Sequence, residues 1–369
     1  MPRFKSRRRD PLQFVCWYNG GRNAVFHKTN KRHGMVIITG QNPVGHREHG
    51  TRWRIEIHVK VSQPIRAYTN IRVNWTDGTL VFTNPPQPLD APLTGRAVGL
   101  DRGGVHQLAT SDGMLLDLPK DRLARIDREI RRRQKAMARK AKTAGYPNPK
   151  DYLKAGASKR YEREREQVRK LHAKARRISM DWAQKTTTRL VRDYDLIAIE
   201  DLNLTGMTRK AKAKPDPDHP GHWLPNGQSR KHGLNRIMRT AALGTIARLL
   251  EYKTRLVPGK KLSAVNPAYT SQTCARCGHC AKDNRESQAV FHCKQCGHTA
   301  NAGLNAAANI LAKAVANGTE GDISIQSMDY ALRTLNRIRH GDTTRENHAP
   351  AAREPQQPGE HPTVGIPCL

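Results

Sequence analysis

The sequence predicts a mixed α+β protein of several domains, on three observations. Residues 1–95 alternate apolar and polar side chains between turn signals. Two later apolar runs each close on an acid, at Asp101 and Glu200. Five of the seven cysteines, Cys274, Cys277, Cys280, Cys293 and Cys296, crowd into one window. At roughly 150 residues per domain, 369 residues allow two or three.

Within 1–95, "RWRIEIHVKV" sets Trp53, Ile55, Ile57, Val59 and Val61 against Arg54, Glu56, His58 and Lys60, the period of two of a half-buried strand. "IRVNWTDGTLVF" reads as a hairpin turning at Asp77 and Gly78. These strands predict a small β-barrel, and "NPPQPLDAP" predicts a linker after it. "AVGLDRGGVHQLATSDG" opens a second domain, 96–265, with an apolar strand ending at Asp101. From Leu118 to about Asp195 the chain reads as helical and basic, in two blocks separated near "TAGYPNPKD". Leu123, Ile126 and Ile130 form the apolar stripe of the first block, and Leu171, Ile178 and Trp182 that of the second.

"YDLIAIEDLNL" is a buried strand closing on Glu200 and Asp201. A polar loop then leads to one helix whose core side carries Leu234, Ile237, Met238, Ala241, Ala242, Ile246, Leu249 and Leu250. After the cysteines (266–300), "LNAAANILAKAVA" predicts a short helix within 301–316, and 317–369 is expected to be largely disordered.

Charge narrows the function. Lys and Arg number 65 against 32 Asp and Glu, a net charge of +33, which points to a polyanionic partner. No apolar run is long enough to cross a membrane and "MPRFKSRRRD" offers no signal peptide, so the expected partner is nucleic acid and the expected place the bacterial cytoplasm, at the nucleoid. The basic helices have little acidic compensation. Arg131, Arg132, Arg133, Lys135, Arg139, Lys140, Arg169, Lys170, Arg176 and Arg177 are the candidate phosphate contacts.

"CARC" and "CKQC" give two C-x2-C knuckles fifteen residues apart. Cys274, Cys277, Cys293 and Cys296 can close a tetrahedron around Zn2+, and four thiolates leave no open position, so the zinc is structural. Cys280 is the spare thiol. Asp101 and Glu200, delivered by strand ends, suit a hard cation such as Mg2+ and the clamp of a two-metal phosphodiester cleavage site.

"VGLDRGG", "IAIEDLNLTGM", "LLEYK", "VNPAYTSQTCARCGH", "CKQCGHTANAGLNAAANIL" and the terminal "VGIPCL" together resemble the TnpB/OrfB family of transposon-encoded proteins, relatives of the type V CRISPR effectors, from about Pro2 to Leu311. The resemblance implies an RNase H-like (RuvC) α/β nuclease domain with an inserted zinc ribbon, preceded by a β-barrel wedge domain that is partial here. It also implies a guide RNA from the transposon end and a target DNA as partners. It makes Asp101 and Glu200 the first two catalytic acids. The third is expected two residues before "NAA", where this chain has Gly303, with Asn301 where a preceding Asp sometimes occurs. "PRFKSRRRD" resembles a segment that follows a first wedge strand and a recognition lobe in the family, so the front reads as truncated.

Three functions remain open on the sequence. One is an RNA-guided DNA-binding protein, associated with transposition and recombination, whose cleavage is impaired by Gly303. Another is an active Mg2+-dependent endonuclease with a relocated third acid, for which Asp201, Glu320 and Asp322 are candidates. The last is a zinc-ribbon scaffold that binds nucleic acid through charge alone.

Overall fold

The computed structural model describes residues 12–340 except 43, 62–63, 66, 76–77, 85–88, 220, 241 and 319–323. Two compact units divide the chain, Met1–Leu89 and Asp90–Leu369. Asp77, Glu320, Asp322 and "VGIPCL" lie outside the described residues.

The first unit contains β1 (Gln13–Trp17), β2 (Ala24–Lys28), β3 (His33–Gln41), β4 (Arg52–Lys60), β5 (Asn70–Asn74) and β6 (Thr79–Thr83). They form two antiparallel sheets, ordered β1-β5-β6 and β2-β3-β4. The expected barrel is therefore not closed: two open sheets share one core, with Ala24, Val36 and Ile38 from one and Ile71 and Val73 from the other. Three strands bury one face each by alternation and leave edges that no further strand among the described residues joins. β4 alternates in burial only from Ile57 on; its first half is exposed on both faces, with Trp53 and Ile55 40% and 38% exposed. Trp53 lies across Gly40 of β3, where an added Cβ would come within 2.1 Å of its ring. The hairpin is present, with Asn74 paired to Thr79.

The second unit is built on a five-stranded sheet ordered β13-β10-β7-β8-β9. Its strands are β7 (Ala97–Asp101), β8 (Leu108–Thr110), β9 (Leu115–Leu116), β10 (Leu196–Glu200) and β13 (Lys261–Val265). β7, β10 and β13 are parallel, and β8 and β9 antiparallel. Between β9 and β10 stand the two basic blocks, α1 (Lys120–Thr143) and α3 (Lys159–Asp193), with the short α2 (Pro149–Lys154) between them. Asn148 and Ser158 cap α2 and α3 with their side-chain oxygens. Ile126 and Ile130 of α1 pack on Ile178 of α3, with Leu123 and Leu171 beside them, as the stripe predicts, whereas Trp182 of the expected stripe is outside this cluster and only half-buried.

β10 leads through α4 (Leu204–Met207), β11 (Lys214–Pro215) and β12 (Trp223–Leu224) to α5 (Gln228–Thr240) and α6 (Leu243–Arg255). The single helix expected here is two. Ala242 sits in the left-handed region at φ 54°, which no continuous helix tolerates, and Leu234 is exposed while Met238, Leu243, Ile246 and Leu250 are buried.

The cysteine segment holds β14 (Val290–His292) and β15 (Thr299–Asn301), followed by α7 (Ala302–Ala316) and α8 (Ile325–His340). α7 crosses β7 closely because Gly99 has no side chain: a Cβ there would stand 2.1 Å from the Ala307 carbonyl oxygen. Its alanines suit that approach, and Ile310 and Leu311 fill the space over the sheet. The expectation of disorder beyond 317 fails over α8, whose Ala331 and Leu335 pack with Leu311, Ala97 and Leu196. Spaced four residues apart, they give the helix one apolar face to bury. No helix among the described residues is long and apolar enough to cross a membrane.

Candidate functional site

β7 and β10 run parallel with Ile199 beside Leu100. The next residues, Glu200 and Asp101, therefore leave the sheet side by side at its carboxyl edge, where open α/β sheets place their ligands. Burial and the neighbouring Glu200 charge push the Asp101 carboxyl up to about 6, against the opposing pull of Arg285 and Arg102. Glu200 Oε1 accepts a hydrogen bond from Thr270 Oγ1. Arg102 is buried behind the pair. Its Nη1 donates to the Leu243 carbonyl at 3.2 Å and its Nη2 to the Glu200 carbonyl, so it fastens β10 and the start of α6 to the end of β7. Its Nε is buried without a partner.

The third position is adjacent. Asn301 caps α7, its Oδ1 accepting from Gly303 N–H at 2.9 Å and Leu304 N–H at 3.4 Å. A Cβ on Gly303 would stand 3.3 Å from Asp101 Oδ2, 3.3 Å from Asn301 Oδ1 and 3.0 Å from Ala109 Cβ. Gly303, the position at which the resemblance expects a third acid, thus adjoins Asp101 and brings no side chain. Asn301's oxygen is engaged in the cap. Asp201 is exposed, its N–H bonded to the Val265 carbonyl. Among the described residues, the only group of three or more metal-ligating side chains is the four cysteines.

Those four converge as their spacing predicts. The sulfurs of Cys274, Cys277, Cys293 and Cys296 all lie within 4.8 Å of one another, with Cys274 and Cys296 at 3.8 Å and Cys277 and Cys293 at 3.6 Å. A tetrahedral ion at about 2.3 Å from each sulfur needs edges of about 3.8 Å, so the set fits a metal. Burial opposes ionisation of Cys293, but the N–H groups of Cys296 and Gln295 overcome it and bring the thiol down to about 6. In the first knuckle burial wins instead, pushing the Cys274 and Cys277 thiols up, so Cys293 is the thiol of the set most easily ionised. Cys280 is exposed and outside the set.

Several residues that shape these sites carry no signal in the sequence alone. Asn284 is fully buried in the ribbon; its Nδ2 donates to the carbonyls of Gln272 and His279, and its Oδ1 accepts from Lys294 N–H, binding the two knuckles together. Asn309 Nδ2 donates to the carbonyls of Thr270 and Thr273 at 2.9 and 2.7 Å. Asn305 bridges the Thr273 carbonyl and Ala275 N–H. Both asparagines are on α7, four residues apart and therefore on one face. A continuous set of bonds links Glu200, through Thr270 and the asparagines, to the first knuckle.

The predicted cationic contacts divide. Arg131 pairs with Asp127, Arg132 with Glu129 at 2.7 Å, and Arg133 with Glu129 and Glu164 at 2.8 and 2.9 Å. Lys140 pairs with Glu164 at 3.0 Å, and Arg169 and Lys170 with Glu166 at 2.7 and 3.8 Å. Lys135, Arg139, Arg176 and Arg177 are exposed and have no ion-pair partner among the described residues. The Arg133 and Lys140 pairs with Glu129 and Glu164 are partly buried between α1 and α3, while the Arg131 and Lys170 pairs are exposed and contribute little.

Comparison with known proteins gives two family matches. Residues 79–211 match the probable transposase family OrfB_IS605, and residues 244–310 match the Cas12f1-like TNB domain. The chain is 37% identical over 216 residues to the putative RNA-guided DNA endonuclease InsQ of Escherichia coli (strain K12), covering 58% of this chain and 48% of that protein. It is 26% identical over 318 residues to a putative RNA-guided DNA endonuclease of Mycobacterium tuberculosis (strain ATCC 25618 / H37Rv), covering 84% and 60% respectively. The mini-RNA-guided endonuclease CRISPR-Cas_phi3 superposes with a TM-score of 0.36 at 17% identity, over 67% of this chain and 51% of that one. The chain thus spans about half the length of the Escherichia coli relative. The transposase match spans Asp101 and Glu200 and the Cas12f1-like match spans the four cysteines and Gly303, so over these two segments the chain is similar to the TnpB/OrfB family of transposon-encoded proteins and to their Cas12f relatives.

Proposed function

We propose that the protein binds DNA under the direction of an RNA from the transposon end, and that strand cleavage by it is impaired. The observation that carries the second half is Gly303 against Asp101, at the place of a third carboxylate. In-line attack of water on a phosphodiester requires cations bridging the attacking and leaving oxygens. Asp101 and Glu200 supply two negative charges, and Arg102 and Arg285 both act on Asp101 with opposite charge. Two carboxylates so offset can orient one Mg2+ but hold a second poorly beside a phosphate. Binding makes no such demand. The net charge of +33, the four-cysteine ribbon that could hold Zn2+, and relatives named as putative RNA-guided DNA endonucleases support it. A protein so engaged works on DNA in transposition and recombination, at the bacterial nucleoid.

The test is direct. The protein, purified with its co-expressed transposon-end RNA, is offered matching DNA with Mg2+ beside the Gly303→Asp variant. The expected result is retained guide-dependent binding by both and cutting at least on the order of 100-fold slower by the parent, the scale of losing one charge-stabilising group. Fast cutting by the parent that disappears on Asp101→Ala overturns the impairment. Co-purified RNA without any enriched species overturns the guide.

A further inference from the structure

Outside the acid pair and the ribbon, one further site has the makings of a ligand pocket. Where the start of α1 meets the middle of α3, an open cleft of about 600 Å3 is lined by Arg122, Lys174, Arg177 and Trp182, among others. Lys174, Arg177, Ile178, Asp181, Trp182 and Lys185 recur at three and four residues and so share one face of α3. Ile178 is buried and anchors that face, while Trp182 is only half-buried.

The charges in the cleft are unequally matched. Its two acids each face a basic side chain, Asp181 with Lys185 at 2.9 Å and Asp117 with His106 and Lys120, each at 2.9 Å. Arg122, Lys174 and Arg177 are exposed and have no ion-pair partner among the described residues. Three uncompensated cations thus surround one indole. Among the described residues no aromatic ring stacks on Trp182 and no guanidinium lies over it.

We propose that this cleft binds a single strand of nucleic acid, with an unpaired base against Trp182 and the flanking phosphates on Arg122, Lys174 and Arg177. An aromatic platform beside a cationic track is the common arrangement for single strands, because every base has a face to stack and every linkage a charge. A duplex keeps its bases stacked on one another and offers the indole nothing. The site deepens the reading of the protein as one that holds RNA and DNA, and it does not depend on a guide.

The experiment uses the full chain and fluorescein-labelled oligo(U), oligo(dT) and a DNA duplex of equal length, titrated at several salt concentrations. The Arg122→Gln, Lys174→Gln, Arg177→Gln triple variant is expected to lose roughly tenfold or more in single-strand affinity and to flatten the plot of log affinity against log salt by about 2, since each single-strand phosphate contact contributes about 0.7. Trp182→Leu is expected to lose roughly 5- to 100-fold with an unchanged slope, and Trp182→Phe to retain most of the affinity. Duplex affinity should move far less with Trp182→Leu. A larger loss on oligo(U) assigns the strand as RNA, and a larger loss on oligo(dT) as DNA; either supports the site. Unchanged slope and affinity in the triple variant overturn it, as does a Trp182→Leu loss equal on duplex and single strand. Homopolymers need neither guide nor target, so guided binding can fail while this cleft holds, and the reverse.

Discussion

The ribbon and the acid pair meet the same helix, α7, yet they are assembled in opposite ways. The ribbon draws four ligands from residues 274–296, and all four arrive. The acid pair draws on two strands whose ends, Asp101 and Glu200, are brought together only by the sheet, and the residue beside Asp101 at the start of α7 is a glycine. A locally encoded site is complete or absent as a unit. A site gathered from distant strands keeps its scaffold when one ligand is lost, since Gly303 still starts α7 and still packs beside Asp101. Fold and chemistry can therefore part company at the second site and not at the first.

The strongest way to break this contrast is to remove a ribbon ligand. Cys293→Ser should abolish stoichiometric zinc binding and unfold the ribbon, because binding free energies of about 10–16 kcal/mol are typical where metal and folding are one event; metal content and the loss of ribbon NMR signals report it. Asn284→Ala tests the same region without touching a ligand. Three hydrogen bonds to backbone groups vanish at a fully buried position, so a loss of about 3 kcal/mol is expected in denaturant unfolding with zinc still bound.

At the acid pair the corresponding measurement is a titration. Asp101 has a carboxyl near 6 in the folded protein and 3.8 as its ordinary value. The folded state therefore binds more protons between these values, and metal-free stability should fall as pH rises from about 4 to 6, then level off. The drop is on the order of 3 kcal/mol. Asp101→Asn should erase it, matching the parent near pH 4 and exceeding it at pH 7; a parent whose unfolding midpoint does not change between those values contradicts the burial described. The smallest effect belongs to Gly303→Asp. Its Cβ must displace Ala109 or the Asp101 carboxylate by a few tenths of an ångström, so about 1 kcal/mol of stability should be lost without metal and regained with Mg2+. Isothermal titration of Mg2+ against both proteins shows whether the third carboxylate has joined the site.

The same contrast explains what could be read from the sequence. Spacing sufficed for the four cysteines, while Asp101 and Glu200 stood out only through strand-end position together with the basic helices, the ribbon and the motifs around them. Two strands and a basic hairpin followed from periodicity. The break at Ala242 was invisible, since alanine is the best helix former and only its left-handed backbone ends α5. α8 was hidden by the polar, proline-rich segments around it, although Ala331 and Leu335 give it a face to bury. Closure of the barrel turned on strand partners that alternation alone does not specify. Asn284, Asn305, Asn309 and Thr270 act through carbonyls far away in the chain, and no local pattern marks an amide for such a task.

The strand order β13-β10-β7 also sets a schedule for biosynthesis. β7 leaves the ribosome well before its parallel neighbour, since Ala97 and Leu196 are partners in the sheet but are separated by the whole helical hairpin. At about 5–20 residues per second the wait is roughly 5–20 s. α1 and α3 can pair within that interval from local contacts alone, while Val98 and Leu100 remain without the strand that later covers them. The hairpin is thus the first part of this unit able to settle, and the carboxylates meet only after it has. Errors in early folding should appear as aggregation through β7, long before any defect at the acid pair could be detected.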